Sequence, residues 1–408
     1  MEERKVPKLR FKEFEDEWEE KKLKEISILI TKGTTPKKFS SKGINFIKIE
    51  SILGNNIDNY KCLYVDINTN NIELKRSILK ENDILFAIAG ATIGKVAIVK
   101  KENLPANTNQ ALSIIRLNNN INNIFILHIL DSNIMKKYIK LNISIGAQPN
   151  LNLEQVSNFN FKIPSLEEQT KIANFLSDVD KIIEEQELKV KDIELYKKGM
   201  MQRIFKQEIR FKDDNGQDYP EWEEKKLGEI GCFYRGFSYN SNDVSNNGLL
   251  VLRSNNIQDN KINYESLQFV SKACKKNLIL KDKDILICMA NGSKKLVGKN
   301  AEYISNYKYN NVTAGAFCSI FRSENILAKY ILQTNKYSQY LSVLLAGTNI
   351  NNLKNTDIEN LKFDIPCLEE QTKIANFLSI LDSKIEQEKG KLDDLKLLKK
   401  GLLQQMFV

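Results

Sequence analysis

The chain has 408 residues, 42% of them hydrophobic, and a formal net charge of +9 from 61 Lys and Arg against 52 Asp and Glu. That is too long for one ordinary core and too apolar for a disordered chain, so two or three globular domains are expected. The charged first twenty residues and a longest weakly polar run of only 84–94 argue against a secretory signal and a membrane span, and a cytoplasmic protein is the expectation.

In chain order, the opening segment 1–26 ends in "EWEEKKLKEI" (17–26). A body follows at 27–163, with short β-branched runs ("INFIKI", "DILFAIAG", "KVAIV", "ALSIIRL") that read as strands between polar, Gly-containing loops. A helix is expected near 123–140. "GAQPNLN" then leads to "IPSLEEQTKIANFL" (163–176), where Ser165-x-x-Glu168 is a capping box and Glu167 and Glu168 suit the helix dipole. The helix runs to "KKGMMQRIF" (197–205).

The chain then repeats itself. "EWEEKKLGEI" (221–230) opens a second body at 231–365, with a helix expected near 324–345, and "IPCLEEQTKIANFL" (365–378) starts a second helix that ends in "KKGLLQQMF" (399–407). The tails match at a constant offset of 202, whereas the bodies match only at landmarks. Cys367 replaces the capping serine and should cap less well. Four segments result: 1–163, 164–206, 207–365 and 366–408.

Each tail carries an apolar seam at heptad-like spacing. In the first it comprises Ile172, Leu176, Val179, Ile183, Val190, Ile193 and Met200, interrupted by Gln186; in the second, Ile374, Leu378, Leu381, Ile385, Leu392, Leu395 and Leu402. A lone helix of about 40 residues, roughly 60 Å, would expose that seam. Two can bury theirs against each other, and under a pseudo-two-fold repeat they must run antiparallel. Packing of each helix on its own body is the alternative. Gly199 and Gly401 mark a kink or a close approach. The fold class is α+β: two mixed α/β globules with two long antiparallel helices as a coiled-coil spacer.

The first body holds 17 Lys and Arg against 9 Asp and Glu, the second 17 against 10, so the remainder of the chain is acidic. Basic globules on a nonbasic spacer suit a polyanion such as nucleic acid, while the Glu-rich opening segments are expected to be solvated or protein-facing. Loop residues able to reach phosphates or base edges are Lys32, Thr34, Thr35, Lys37, Lys38, Lys95, Gln148 and Asn150 in the first body. In the second they are Arg235, Tyr239, Arg253, Asn255, Lys294, Lys295, Lys299, Asn349 and Asn351.

Motifs for chemistry are missing. "GATIGKV" (90–96) has three residues between its glycines rather than the four of a phosphate loop, and Val96 offers no hydroxyl to magnesium. It and "GSKKLVGKN" read as strand–turn–strand corners. No two prolines adjoin, no Pro-Asp nuclease signature occurs, and His128, the sole histidine, sits in the apolar "NIFILHIL" as a packed residue. The six cysteines form no C-x-x-C pair, so no zinc site is expected and the thiols should be reduced and mostly buried.

The paired "IPxLEEQTKIANFL" helix starts, the "EWEEKKLxEI" openings and the "KKGMMQRIF"/"KKGLLQQMF" ends resemble the specificity (S) subunit of Type I restriction–modification systems over essentially the whole chain. The resemblance implies that each body is a target recognition domain for one half of an asymmetric bipartite site in double-stranded DNA. It implies that the helix pair sets the spacing and docks two methyltransferase (M) subunits, joined by restriction (R) subunits. It also implies a cytoplasmic, nucleoid-associated protein that binds no cofactor and is no enzyme, with S-adenosylmethionine, ATP and magnesium on the partner subunits. A stand-alone bipartite DNA-binding regulator and a coiled-coil scaffold are the alternatives.

Overall fold

The computed structural model describes residues 6–143, 149–305, 308–346 and 351–408. The first half of the chain forms β1 (Glu19–Lys22), β2 (Ser27–Lys32), β3 (Ile44–Ile47), β4 (Ile52–Leu53), β5 (Asn56–Ile57), β6 (Leu63–Val65), β7 (Ile84–Ala87), β8 (Val96–Ile98), β9 (Ala106–Thr108), β10 (Leu112–Leu117), α1 (Asn123–Asp131), α2 (Asn133–Asn142), α3 (Leu153–Ser157), β11 (Asn160–Ile163) and the 40-residue α4 (Leu166–Phe205). The second half forms β12 (Glu223–Lys226), α5 (Leu227–Ile230), β13 (Gly231–Arg235), β14 (Val244–Ser245), β15 (Leu249–Leu252), β16 (Ile257–Gln258), β17 (Lys261–Ile262), β18 (Gln268–Val270), β19 (Ile285–Cys288), β20 (Asn300–Glu302), β21 (Val312–Ala314), β22 (Cys318–Ser323), α6 (Ala328–Ile331), α7 (Asn335–Ala346), α8 (Asn355–Glu359), β23 (Lys362–Ile365) and the 38-residue α9 (Leu368–Gln405). The apolar runs read from sequence become β3, β7, β8 and β10. The helix expected near 123–140 is broken in two, because the Ser132 hydroxyl accepts from the Ile134 N–H and caps α2.

Two compact units result, Met1–Lys189 with Glu388–Val408 (unit 1) and Val190–Gln387 (unit 2). Each contains one body, the first part of one long helix and the last part of the other. The helices expected as separate segments are therefore each divided between the units.

In unit 1 an antiparallel sheet, β2-β10-β7-β8, lies beside β6-β3-β9, in which β3 and β9 are parallel. Successive strand residues point to opposite faces. Ile84, Phe86 and Ile115 therefore pack with Phe125 and Ile129 of α1, Ile172 and Leu176 of α4 and Phe407. Leu85, Ala87 and Ile114 pack with Ile47 of the second sheet. Unit 2 repeats this arrangement. Ile285, Ile287 and Phe321 meet Tyr330, Ile204, Ile374 and Leu378, and Leu286, Cys288 and Ile320 meet Leu250 and Leu252. Each sheet also holds the same buried ion pair, Asp83–Arg116 at 2.7 Å and Asp284–Arg322 at 2.6 Å. Divergent bodies thus share one framework.

The helix segments are antiparallel within each unit. In unit 1, Asp180 pairs with Lys399 and Glu187 with Lys396, both at 2.6 Å, so partner numbers fall as residue numbers rise. In unit 2, Lys197 lies 2.5 Å from Asp382. Ile172, Leu176, Val179, Ile183, Val190, Ile374, Leu378 and Ile385 are buried, and Ile193, Met200, Leu381, Leu392, Leu395 and Leu402 are half-buried. Within the seam, Ile172, Leu176 and Leu402 join the body core of unit 1, and Ile374 and Leu378 that of unit 2. Both packing alternatives are used.

The acidic residues of the opening segments are exposed, Glu13, Glu15, Glu17, Glu19 and Glu20 in the first and Glu221, Glu223 and Glu224 in the second, while the tryptophans between them turn inward. Trp18 and Trp222 are buried. The Arg10 guanidinium forks onto the Glu168 carboxylate at 2.8 and 2.8 Å, and Arg210 onto Glu370 at 3.3 and 2.8 Å. The expected capping box is therefore half-formed: Ser165 Oγ accepts from the Glu168 N–H at 3.4 Å, but the Glu168 side chain serves Arg10 instead. Leu9 N–H donates to the Gln405 carbonyl, closing the end of α9 as Ile209 N–H closes α4 at Arg203.

Neither Gly199 nor Gly401 marks a close approach: a Cβ at either would meet nothing within 4 Å, and both helices continue through them. Gly199→Ala and Gly401→Ala should each stabilise the protein by about 1 kcal/mol, because alanine restricts the unfolded chain and solvates the helix less. Urea midpoints that fail to rise would refute this.

Candidate nucleic-acid interface

β2 and β7 end, and β10 and β8 begin, at one edge of the unit 1 sheet, where Lys32 pairs Ser113, Ala87 pairs Leu112 and Phe86 pairs Val96. The loops leaving that edge hold each other. Gly33 packs so closely that a Cβ would fall 2.0 Å from the Thr108 carbonyl oxygen. Thr34 N–H donates to that same carbonyl at 3.2 Å. The Thr35 hydroxyl bonds Gln110, Gly90 N–H donates to the Pro149 carbonyl, and Asn150 bridges to Ala89. "GATIGKV" is the β7–β8 turn, as its glycine spacing suggested.

Unit 2 places its counterparts at the same edge, where Arg235 pairs Ser319 and Cys288 pairs Cys318. Gly236 is as tightly placed as Gly33, 2.1 Å from the Gly315 oxygen for an added Cβ. Tyr239 stacks on Phe237 with centroids 6.5 Å apart. Asn291 N–H donates to the Asn351 carbonyl, Asn351 Nδ2 donates to the Gly292 carbonyl at 2.9 Å, and Asn291 reaches Ser254 between Arg253 and Asn255 at 3.4 Å. Residues up to 118 positions apart in sequence thus share one edge.

The candidates differ in what they can offer a ligand. Lys32, Thr35, Lys37, Lys38, Asn150, Arg235, Asn255 and Lys295 are exposed. Thr34 is half-buried and its hydroxyl accepts from Arg76 at 3.0 Å. Lys95 and Lys299 are half-buried, each with its ammonium 2.9 Å from a backbone carbonyl, of Ile52 and Ile257 respectively. Lys294 donates to the Leu345 carbonyl at 3.1 Å, and half-buried Arg253 to the Ser266 carbonyl at 3.1 Å. Gln148 and Asn349 lie outside the described residues. Three neighbours were missed from sequence: Arg76, Gln110 and Phe317, the last 69% exposed in the turn before β22. Gln110 and Phe317 lie just before β10 and β22, in the similar stretches "NTNQALSIIRL" (107–117) and "NVTAGAFCSIFR" (311–322), and that similarity is the signal that could have found them.

Burial pushes the Cys288 thiol up and that of Cys318, beside it, up to about 12, which leaves both protonated at neutral pH. Cys62 is also buried, Cys274 and Cys367 are half-buried, and Cys232 alone of the six is exposed. His128 is 1% exposed, and its Nε2 stands 3.9 Å from Asp180. Tyr330 occupies the equivalent place in unit 2, and its hydroxyl donates to Asp382 at 3.0 Å.

Burial, with the charge of Lys399, lowers the His128 pKa from 6.5 to about 3. Between those values the unfolded chain binds a proton that the folded chain refuses. Its contribution to stability is whole above pH 6.5 and falls by about 1.4 kcal/mol per pH unit below it. His128→Gln should flatten that part of the pH profile; an unchanged slope in urea melts at pH 7 and 5 would refute it.

The profile of the Type I restriction modification DNA specificity domain matches residues 15–192 and again 219–397. The chain is 26% identical over 343 residues to the Type I restriction enzyme MjaVIII specificity subunit of Methanocaldococcus jannaschii, covering 81% of this chain and 79% of that one. It is 26% identical over 417 residues to the MjaIX specificity subunit of the same organism, covering 95% and 92%. Its fold is similar to the crystal structure of a Type I restriction–modification S subunit from M. genitalium, with a TM-score of 0.57 at 16% identity over 99% of each chain. With two copies of the domain filling most of its length, the chain belongs to the Type I restriction–modification DNA specificity family.

Proposed function

We propose that this chain is the non-catalytic DNA-recognition subunit of a Type I restriction–modification complex, each unit reading one half of an asymmetric bipartite site. One observation carries the reading. The same sheet edge in both units gathers basic and amide loop residues that differ between the units, while the helices are near copies. Different loops suit different bases, and equal helices suit two equal partners. The helix pair docks two methyltransferase subunits and sets the gap between half-sites. S-adenosylmethionine, ATP and magnesium belong to the methyltransferase and restriction subunits.

The test is to express the chain with its methyltransferase partner in a host lacking adenine methylation and to map modified adenines. A two-part motif with unlike halves and a constant gap is expected. A soluble, DNA-binding complex that yields no motif would overturn the reading. Inserting one helical turn in the long helices adds about 5.4 Å. It should widen the gap by one or two base pairs at about 3.4 Å each; an unchanged gap would refute the ruler.

A further inference from the structure

Lys95 and Lys299 are among the loop residues able to reach phosphates or base edges, and in both units the ammonium grips the first residue of a small hairpin. Lys95 Nζ donates to the Ile52 carbonyl at the start of the β4–β5 hairpin. Lys299 Nζ donates to the Ile257 carbonyl at the start of β16–β17. The far strand of each hairpin then reaches a long helix. Asn56 Nδ2 donates to Glu184 at 2.6 Å, and Lys261 pairs with Glu386. Glu184 and Glu386 are 202 residues apart, the same place in the two near-identical tails.

Each unit therefore contains a continuous brace: recognition-edge loop, lysine, hairpin, helix glutamate. The body residues that build it are not copies, Asn56 in one unit and Lys261 in the other. A surface ion pair alone contributes little to stability. Its recurrence from different side chains at matched helix positions points to a positional role.

We propose that Lys95 and Lys299 are positioning residues. Through their hairpins they fix the pose of each recognition loop against the helix surface on which the methyltransferase docks, and each governs one half-site only. The inference rests on the function proposed above.

The test uses the full chain in complex with its methyltransferase subunit. Lys95→Met, Lys299→Met, the Lys→Arg forms and, at the far end of the second brace, Lys261→Met are compared by mapping methylated adenines and by methylation rate on the wild-type motif. Lys261 is exposed, with 59% of its side chain accessible, so its substitution should not impair folding. Lys299→Met should slow methylation about tenfold, the worth of one hydrogen bond to a charged group. It should relax base preference in the second half of the motif alone. Lys261→Met should relax the same half, Lys95→Met the first half, and arginine should restore both.

Loss spread evenly over both halves, with a salt slope reduced by about one contact, would mean that the lysines touch phosphate and would overturn the proposal. So would a Lys261→Met motif identical to wild type. If the wild-type complex itself gives no two-part motif, the failure lies in the proposed function.

Discussion

Arg210→Met should lower the unfolding free energy by about 3–5 kcal/mol, the usual cost of stranding one partner of a buried ion pair. Glu370 has 0% side-chain exposure. Its carboxylate is held by Arg210 and by the Trp222 Nε1–H at 2.9 Å. Methionine keeps the hydrophobic volume but leaves the charge with the indole alone. The double variant Arg210→Met/Glu370→Leu should recover most of the loss, because no charge is then left buried. Urea denaturation of wild type, both singles and the double closes the cycle. A single-variant loss below about 1 kcal/mol would place the pair among weak surface bridges. Arg210 thereby ties the second opening segment to the start of α9.

Gln186→Leu should cost about 2–3 kcal/mol, since it removes polar partners from a fully buried carboxylate. Gln186 Nε2 donates to the Glu388 side chain at 2.8 Å and to its backbone carbonyl at 2.9 Å. Glu388 is 0% exposed, with Lys189 at 3.1 Å and Lys391 at 3.2 Å. Gln186 and Glu388 are themselves 202 apart, so each helix meets the other at its own equivalent position. A single buried polar pair in an apolar seam fixes register and orientation at some cost in stability. Gln186→Leu/Glu388→Leu should therefore be at least as stable as wild type but free to slide. Cysteine pairs engineered across the helices should crosslink in one register in wild type and in several in the double variant. A single register in both would show that the flanking Asp180–Lys399 and Glu187–Lys396 pairs suffice.

Gln186 also shows how far the sequence can be read. As an interruption of a heptad it was visible, but its partner was not, because a period along one helix does not say which residue of another helix stands opposite. The same limit applies to Glu168. The capping-box spacing was correct and Ser165 does cap, yet Arg10, 158 residues away, takes the carboxylate. Two local rules competed with one long-range ion pair, and the buried charge-assisted fork is the stronger interaction.

What the sequence by itself determined is whatever depends on neighbours in the chain or on the chain's likeness to itself. The repeat, the extents of α4 and α9, the apolar seam, the strands β3, β7, β8 and β10 of the first body and the turn character of "GATIGKV" are of this kind. Each is written in a period of 3.6 or 2, or in copied residues. Only the tertiary structure decided which loop residues share a sheet edge, and which lysines there face outward. Lys32 and Lys95 look alike in sequence as basic residues beside glycines. One is exposed, and the other donates to the Ile52 carbonyl 43 residues away. That difference depends on where a two-strand hairpin folds back. Hairpin placement is fixed by packing across the body, not by the residues that flank the lysine.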